Sequence, residues 1–319
     1  MSTGSAPSIC VALVTFNRKH LLVECIDALL QQTHPVDRIF VIDNGSTDGT
    51  ADLLRERGYL QNDRITLARE ETNSGGAGGF HRGLQLGQQA GFDWIWLMDD
   101  DAEPAPDALQ QALAASANTS AIAIANFKVS AEGVPQDNHM RLENGVAAST
   151  LAGTASPVPL RFSSFVGLLI RSAVIPQVGL PRAEFFLNGD DTEYCMRLRK
   201  AGPILLAPAS IIRHKEAARS GYAERSFLGV RHARAPFRAF AFRYFELRNT
   251  TIIHRIEHGT LSALIFALRR VVALSAAILA FRDDRPLQRI RLVVKAHADA
   301  FRGNFDNGFP FRLLRQTSA

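Results

Sequence analysis

Three cysteines in 319 residues, Cys10, Cys25 and Cys195, are too few and too widely spaced for a disulfide framework or a metal finger. Each falls inside an apparent strand or helix, so burial is their expected role and a reducing compartment their expected setting. The N-terminal MSTGSAPS has neither the charged start nor the apolar stretch of a signal peptide, which points to the cytoplasm. No internal repeat and no low-complexity tract is present. GKS and GKT are missing, which excludes a Walker loop, and no glycine triplet has the spacing of a dinucleotide fingerprint. A nucleic-acid motif is missing too, and the aromatic residues do not interleave with the basic clusters, so no nucleic-acid partner is expected.

What is present is an ordinary packed composition, 46% hydrophobic and 21% charged, with a lopsided charge distribution. Residues 213–319 carry 20 Lys and Arg against 8 acids, and residues 1–212 carry 16 against 23, giving +12 and −7. The C-terminal part is therefore expected either to face something anionic or to carry a solvated basic face.

The run ICVALVTF is apolar throughout and rich in β-branched residues, as a strand covered on both faces must be. Leu21, Leu22, Cys25, Ile26, Leu29 and Leu30 then recur at helical spacing, and RIFVIDN supplies a second strand. A short helix with Asp48 as N-cap, a strand RITLARE, a glycine loop NSGGAGGF, a helix from Phe80 and a strand WIWLMDD follow. This alternation predicts an α/β fold with a parallel sheet and a ligand crevice beyond the carboxyl ends of its strands. Further strands are expected at AIAIANFKV, SSFVGLLI and PILLA, and a long loop or a pair of edge strands over residues 132–161.

Polar residues gather at the strand ends: Asn17 and Arg18, then Asp43 and Asn44, then the glycine stretch, then Asp99, Asp100 and Asp101. Three adjacent carboxylates repel one another and are costly to desolvate, and a divalent cation would relieve that cost. Mg²⁺ or Mn²⁺ suits such oxygen ligands, and His214 at the end of SIIRH adds a nitrogen that favours Mn²⁺. In an extended chain Asp99 and Asp101 share a face and Asp100 points elsewhere. The row also reads as the acidic N-terminus of the helix in AEPAPDALQQAL. Asn73, Gly75 and Gly76 free backbone to approach phosphate or sugar, with Arg82 placed to pair with a diphosphate, although a plain flexible turn has the same composition. Asp190, Asp191 and Glu193 are candidates for a general base, and equally for the capped first turn of TEYCMRLRKAG.

Taken together, TFNR, VIDNGSTDGT, NSGGAGGF, LMDDD, LNGDDTEYCMRLRKAG and RYFELRNT resemble the ordered motifs of family-2, inverting, GT-A-fold glycosyltransferases over about residues 9–255. Within that family the chain is most similar to bacterial galactofuranosyltransferases and nearly as similar to the rhamnosyltransferases of surface-polysaccharide synthesis. The resemblance implies a catalytic domain of residues 1–255 and a metal-dependent transfer from a UDP or dTDP sugar to a glycan or polyprenyl-linked acceptor. It places Thr15, Asn17, Arg18 and Asp43 in the nucleotide pocket. It also implies that Asp101, Asp99 and His214 hold the metal, with Asp100 in the same DXD-type element, and that Asp191 is the base. Gly189 stands where related chains often carry Trp. A nucleotidyltransferase is the nearest other enzyme with an α/β sheet and carboxylate-bound metal.

Residues 256–319 are expected to form a helical, basic extension. LSALIFALRRVVALSAAILAF, residues 261–281, is long enough to cross a bilayer, but Arg269 and Arg270 at its centre cost about 2.5–3.5 kcal/mol each on insertion scales. A helix lying on an anionic membrane surface is expected instead, on the inner face of the cell membrane. The other outcome is a helix packed against the catalytic domain or a second copy of the chain.

Overall fold

A computed structural model describes residues 6–215, 223–227 and 230–316. The polar N-terminus read above as leaderless lies partly outside them. The chain forms two compact units, one of Met1–Ala183 with Asp191–Ala217, the other of Glu184–Asp190 with Ala218–Ala319.

In the first unit the strands are β1 (Ile9–Thr15), β2 (Arg38–Asp43), β3 (Ile65–Arg69), β4 (Trp94–Asp99), β5 (Ala102–Pro104), β6 (Ala123–Val129), β7 (Met140–Leu142), β8 (Val158–Ser163), β9 (Leu168–Arg171) and β10 (Ile204–His214). The helices are α1 (Lys19–Leu30), α2 (Thr50–Glu56), α3 (Gly75–Gln89), α4 (Ala108–Ser116), α5 (Ile175–Val178) and α6 (Asp190–Ala201), whose first residue falls in the other unit. The sheet runs β3-β2-β1-β4-β9-β6-β10-β8-β7, with β5 pairing β10. β1 is apolar throughout because it serves two cores. Ile9, Val11 and Leu13 pack with Leu22, Cys25, Ile26 and Leu29 of α1, while Cys10, Ala12 and Val14 pack with Phe80 and Leu84 of α3. All three cysteines are free and buried.

The sheet is mixed rather than wholly parallel. β3, β2, β1 and β4 are parallel, and β6 is parallel to β10, but β9 is antiparallel to both its neighbours. SSFVGLLI is not one strand: the chain leaves β8 at Ser163 and re-enters the sheet at Leu168. PILLA and SIIRH are a single strand, β10, with a bulge between Ala207 and Ile211. Residues 132–161 supply the edge pair β7–β8. The N-cap of α2 is Gly49, while Asp48 accepts hydrogen bonds from the Thr50 amide and hydroxyl and from the Lys19 amide.

The glycine stretch is the largest difference from expectation, because α3 begins at Gly75 rather than Phe80. Each helical glycine costs about 1 kcal/mol relative to alanine. Packing offsets that cost. A Cβ on Gly79 would stand 2.5 Å from Val14, on Gly83 2.6 Å from Ala12 and on Gly87 2.7 Å from Ile95. Spaced by four, these glycines form one helix face and let α3 lie directly on β1 and β4.

The second unit holds the hairpin β11 (Ala223–Phe227) and β12 (Val230–Arg234) and the helices α7 (Phe237–Ala241), α8 (Arg243–Ala280), α9 (Pro286–Arg302) and α10 (Phe309–Arg315). Residues 237–302 are mainly helical, and α8 is broken at Gly259, which has φ 81° and ψ 169°. Phe186, Phe237, Phe240, Tyr244, Phe245, Leu292, Val293 and Phe309 form its core. The segment 184–190 is strained, with φ of 63° at Phe186 and 64° at Asn188, on the order of 1 kcal/mol each. Buried Arg248 and Asn249 hold it. Arg248 donates to the Glu184 and Phe185 carbonyls (3.2 and 3.0 Å), and the Asn249 amide lies 2.7–3.1 Å from those of Phe185, Leu187 and Asn188. Gly189, at φ 86°, holds a conformation strained for any side chain, the Trp of related chains included, and a Cβ there would press on Ile253 at 3.2 Å and Asn249 at 3.3 Å.

Candidate active site

The first four strands end together. Thr15 pairs in register with Asp43, and Val14 with Asp99, so the ends of β1, β2 and β4 lie side by side where the strand order reverses.

Carboxylate oxygens of Asp99, Asp100 and Asp101 lie within 4.8 Å of one another, so Asp100 joins the cluster instead of turning away. Its Oδ2 accepts from Thr15 Oγ1 at 2.8 Å, and Arg18 Nη1 donates to Asp100 (3.2 Å) and Asp101 (3.0 Å). One guanidinium does not neutralise three acids. Burial, followed for Asp99 by its two neighbours, pushes the Asp99 carboxyl far up and Asp100 to about 6. Burial acts on Asp101 too, but His214 and Arg18 outweigh it and hold that carboxyl below its ordinary range.

His214 is oriented by Gln136. The Gln136 amide nitrogen donates to the His214 carbonyl (3.2 Å), so its amide oxygen faces His214 Nδ1 at 3.1 Å. Nδ1 therefore carries hydrogen, and in the neutral ring Nε2 presents a lone pair. Nε2 stands 3.3 Å from Asp101 Oδ1, a buried oxygen with no hydrogen-bond partner among the described residues. A proton on Nε2 makes His214 the cation that lowers the Asp101 carboxyl, and a neutral ring turns its lone pair on the same oxygen. Two acceptors this close need a cation or a proton between them. Asp99, Asp101 and His214 thus fit a divalent metal by donor type and by electrostatics.

A second network holds the other strand ends. Buried Asp43 accepts from the Ser46 amide at 2.9 Å through Oδ1, while its Oδ2 has no hydrogen-bond partner and lies 3.7 Å from Arg69. Asn17, left-handed at φ 54°, accepts from the Thr47 amide at 2.7 Å, and its own amide donates to Ser46 Oγ. Asn73 accepts from the Gly75 amide at 2.7 Å, so its side chain serves the start of α3. Asn44, which the sequence places at a strand end without a role, latches this turn. It donates to the Gly75 carbonyl (2.7 Å) and accepts from the Ser74 amide and hydroxyl. Gly76 is unlike the glycines on the packed face, because a Cβ there would meet nothing within 4 Å. Arg82 is occupied elsewhere, 3.5 Å from Glu70 and donating to Gln85.

Asp191 stands in the first turn of α6, where its Oδ1 accepts from the Thr192 amide at 2.6 Å. Burial pushes its carboxyl up to about 6 against the opposing pull of Thr192, Arg141 and Lys128. Glu193 is less suited to a base, being held by Arg197 at 2.8–3.1 Å. Asp190 is buried and hydrogen-bonded or paired as well.

Comparison with known proteins bears on the family and the fold. Residues 10–175 match the model of the family described as Glycosyl transferase family 2. Galactofuranosyltransferase GlfT1 of Mycolicibacterium smegmatis is 30% identical over 203 residues, 61% of this chain and 66% of that protein, so the chain matches just under two thirds of its length. Among solved structures, the mannosyltransferase PcManGT of Pyrobaculum calidifontis, in complex with GDP-Man and Mn²⁺, superimposes with a TM-score of 0.57 at 16% identity, over 93% of this chain and 88% of that one. GalNAc-T7, with UDP, GalNAc and Mn²⁺, gives 0.56 at 16% identity over 66% and 44%.

Proposed function

This chain belongs to glycosyl transferase family 2, and from that membership we propose that it moves galactofuranose from UDP-galactofuranose to a hydroxyl of a glycan or polyprenyl-linked acceptor. It is a nucleotide-sugar-dependent glycosyltransferase with a GT-A fold. The 3.3 Å approach of His214 Nε2 to Asp101 Oδ1 supports the proposal most directly, because a cation between them would sit where the strand order reverses. A divalent metal held by Asp99, Asp101 and His214, Mn²⁺ in our reading, would neutralise charge building on the leaving diphosphate. Asp43 offers Oδ2, which has no hydrogen-bond partner among the described residues, to an N–H of the donor nucleotide. Thr15, Asn17 and Arg18 shape the same pocket, and the open side of Gly76 leaves backbone accessible to the donor. Arg82 reaches a diphosphate only by exchanging its Glu70 contact.

In the transfer step Asp191 removes the acceptor proton as that oxygen attacks the anomeric carbon in line, inverting its configuration. The sugar is supported by the galactofuranosyltransferase name of the relative above. A panel of UDP- and dTDP-sugars with Mn²⁺ tests it by slow donor hydrolysis. UDP-galactofuranose is expected to be cleaved fastest, to UDP. Preference for dTDP-rhamnose would replace the sugar, and release of pyrophosphate would replace the reaction class.

We further infer that α8 rests on an anionic membrane on the cytoplasmic side. Leu261 and Leu268 are 72% and 64% exposed, and Leu264, Ile265, Val272 and Leu279 are exposed beside them. The stretch Phe237–Ala280 has the length and apolarity to cross a membrane, and most of its apolar part is not buried against the protein. Arg269 and Arg270 favour the surface, and Arg270 pairs with Glu246 at 3.2 Å. Replacing Leu264 and Leu268 by Glu in the full chain is expected to weaken binding to phosphatidylglycerol vesicles, read by co-sedimentation, about 100-fold, two leucines buried in the membrane being worth about 3 kcal/mol. Unchanged binding would sink this.

A further inference from the structure

Lys128 of β6 is fully buried, yet the groups that hold it are neutral. Its Nζ donates to Ser163 Oγ at 2.6 Å and to the Asn126 carbonyl at 3.2 Å. A buried ammonium costs several kcal/mol unless a counter-charge is near, so one is to be sought. Ser163 points to it. The Ser163 carbonyl accepts from Cys195 Sγ at 3.4 Å, and Cys195 lies four residues beyond Asp191, on the same face of α6. The lysine is thus linked through Ser163 to the helix that carries Asp191, and each of the two charges acts on the other.

Building on the reading of Asp191 as the base, we propose that Lys128 is a positioning residue for the transfer, its ammonium supplying the counter-charge that keeps the Asp191 carboxylate ionised. The charged and titratable groups around the pair are few. Arg141 of β7 acts on Asp191 alongside Lys128, Cys195 acts on both Lys128 and Asp191, and Arg199 of α6 acts on Cys195. Burial lowers Lys128 to about 7, with Cys195 and Asp191 opposing it, and Asp191 stands at about 6. Loss of the lysine's charge leaves Arg141, the stronger of the two cations, alone on the base. The Asp191 carboxyl then rises, because an opposite charge that favoured its ionised form is gone.

The test is the pH profile of kcat/KM for the full chain, read as nucleotide release from UDP-galactofuranose, or from dTDP-rhamnose if that is the donor cleaved. Lys128→Met keeps the aliphatic stem and is expected to move the acid limb up by about one pH unit. Activity at pH 5.5 then falls about tenfold, while activity at pH 8.5 stays near wild type. Should that variant not fold, Ser163→Ala, which loosens the ammonium, is expected to move the limb the same way by a smaller amount. An unmoved limb, or a loss equal at every pH, overturns the role of Lys128. Asp191→Asn separates the two readings. Transfer that survives it removes the base and this proposal together, whereas transfer abolished by it with an unmoved limb in Lys128→Met removes the lysine's role alone.

Discussion

Asp191→Asn is expected to lower transfer by about 10²–10⁴-fold, the range for losing a positioned general base, and to leave UDP binding within about twofold. The amide has the size and shape of the carboxylate, and its oxygen can still accept from the Thr192 amide, so the first turn of α6 is kept. What disappears is a buried carboxyl pushed up to about 6, whereas Glu193 of the same run is held by Arg197. At pH 7.5 such a carboxyl is more than nine-tenths ionised, ready to accept a proton, yet basic enough to take one from a hydroxyl as it becomes acidic in the transition state. Initial rates with the cleaved donor, paired with calorimetric titration of UDP, separate the two effects. A variant that turns over within tenfold of wild type would remove Asp191 from the chemistry. Weakened UDP binding would instead make it part of the donor site.

How much of this was legible beforehand follows from what each signal depends on. The ends of β1, β2 and β4 were readable because an apolar run stops at a polar residue, and register places Thr15 beside Asp43 and Val14 beside Asp99. The four-residue spacing of Gly79, Gly83 and Gly87 was equally visible. Its meaning was not, since a cleared backbone looks the same whether a ligand or Val14, Ala12 and Ile95 fills the space. Only Gly76 keeps the ligand reading open. Lys128 was hidden for a related reason. A lysine in ANFKV reads as a solvent-facing position, and its burial comes from β8 and α6, which are distant in sequence. Arg248 and Asn249 lay in a recognised motif without a task. Their task appears only with the left-handed residues at 186 and 188, whose conformation no pattern of apolar residues announces. The strand in SSFVGLLI was legible but its antiparallel course as β9 was not, because that depends on the break at residues 164–167, inside a run that looks continuous.

The second large effect is expected at Asp101, and its two readouts should move in opposite directions. Asp101→Asn is expected to abolish Mn²⁺-stimulated transfer, a loss of about 10³-fold if the metal supplies several kcal/mol of charge stabilisation. The same substitution is expected to raise the melting temperature of the metal-free protein. Oδ2 of Asp101 accepts from Arg18, and Oδ1 lies 3.3 Å from His214 Nε2, which presents a lone pair when the ring is neutral. An asparagine can keep its oxygen toward Arg18 and turn its amide nitrogen to His214 Nε2, converting two facing acceptors into a donor and an acceptor. It also removes one of three crowded negative charges, which further favours the fold. A gain of about 1 kcal/mol is a fair scale for a hydrogen bond made where none existed. Mn²⁺ at about 100 times its dissociation constant should stabilise the wild type by about 2.7 kcal/mol and the variant hardly at all. Thermal melts of both proteins with and without Mn²⁺ give the answer. If the variant melts lower without metal, His214 is protonated and already paired with Asp101, and the cluster is an ion pair rather than a cation site. If it melts higher and still responds to Mn²⁺, the ion binds elsewhere. Only a higher melt with no response fits a site whose instability is the means of holding the metal.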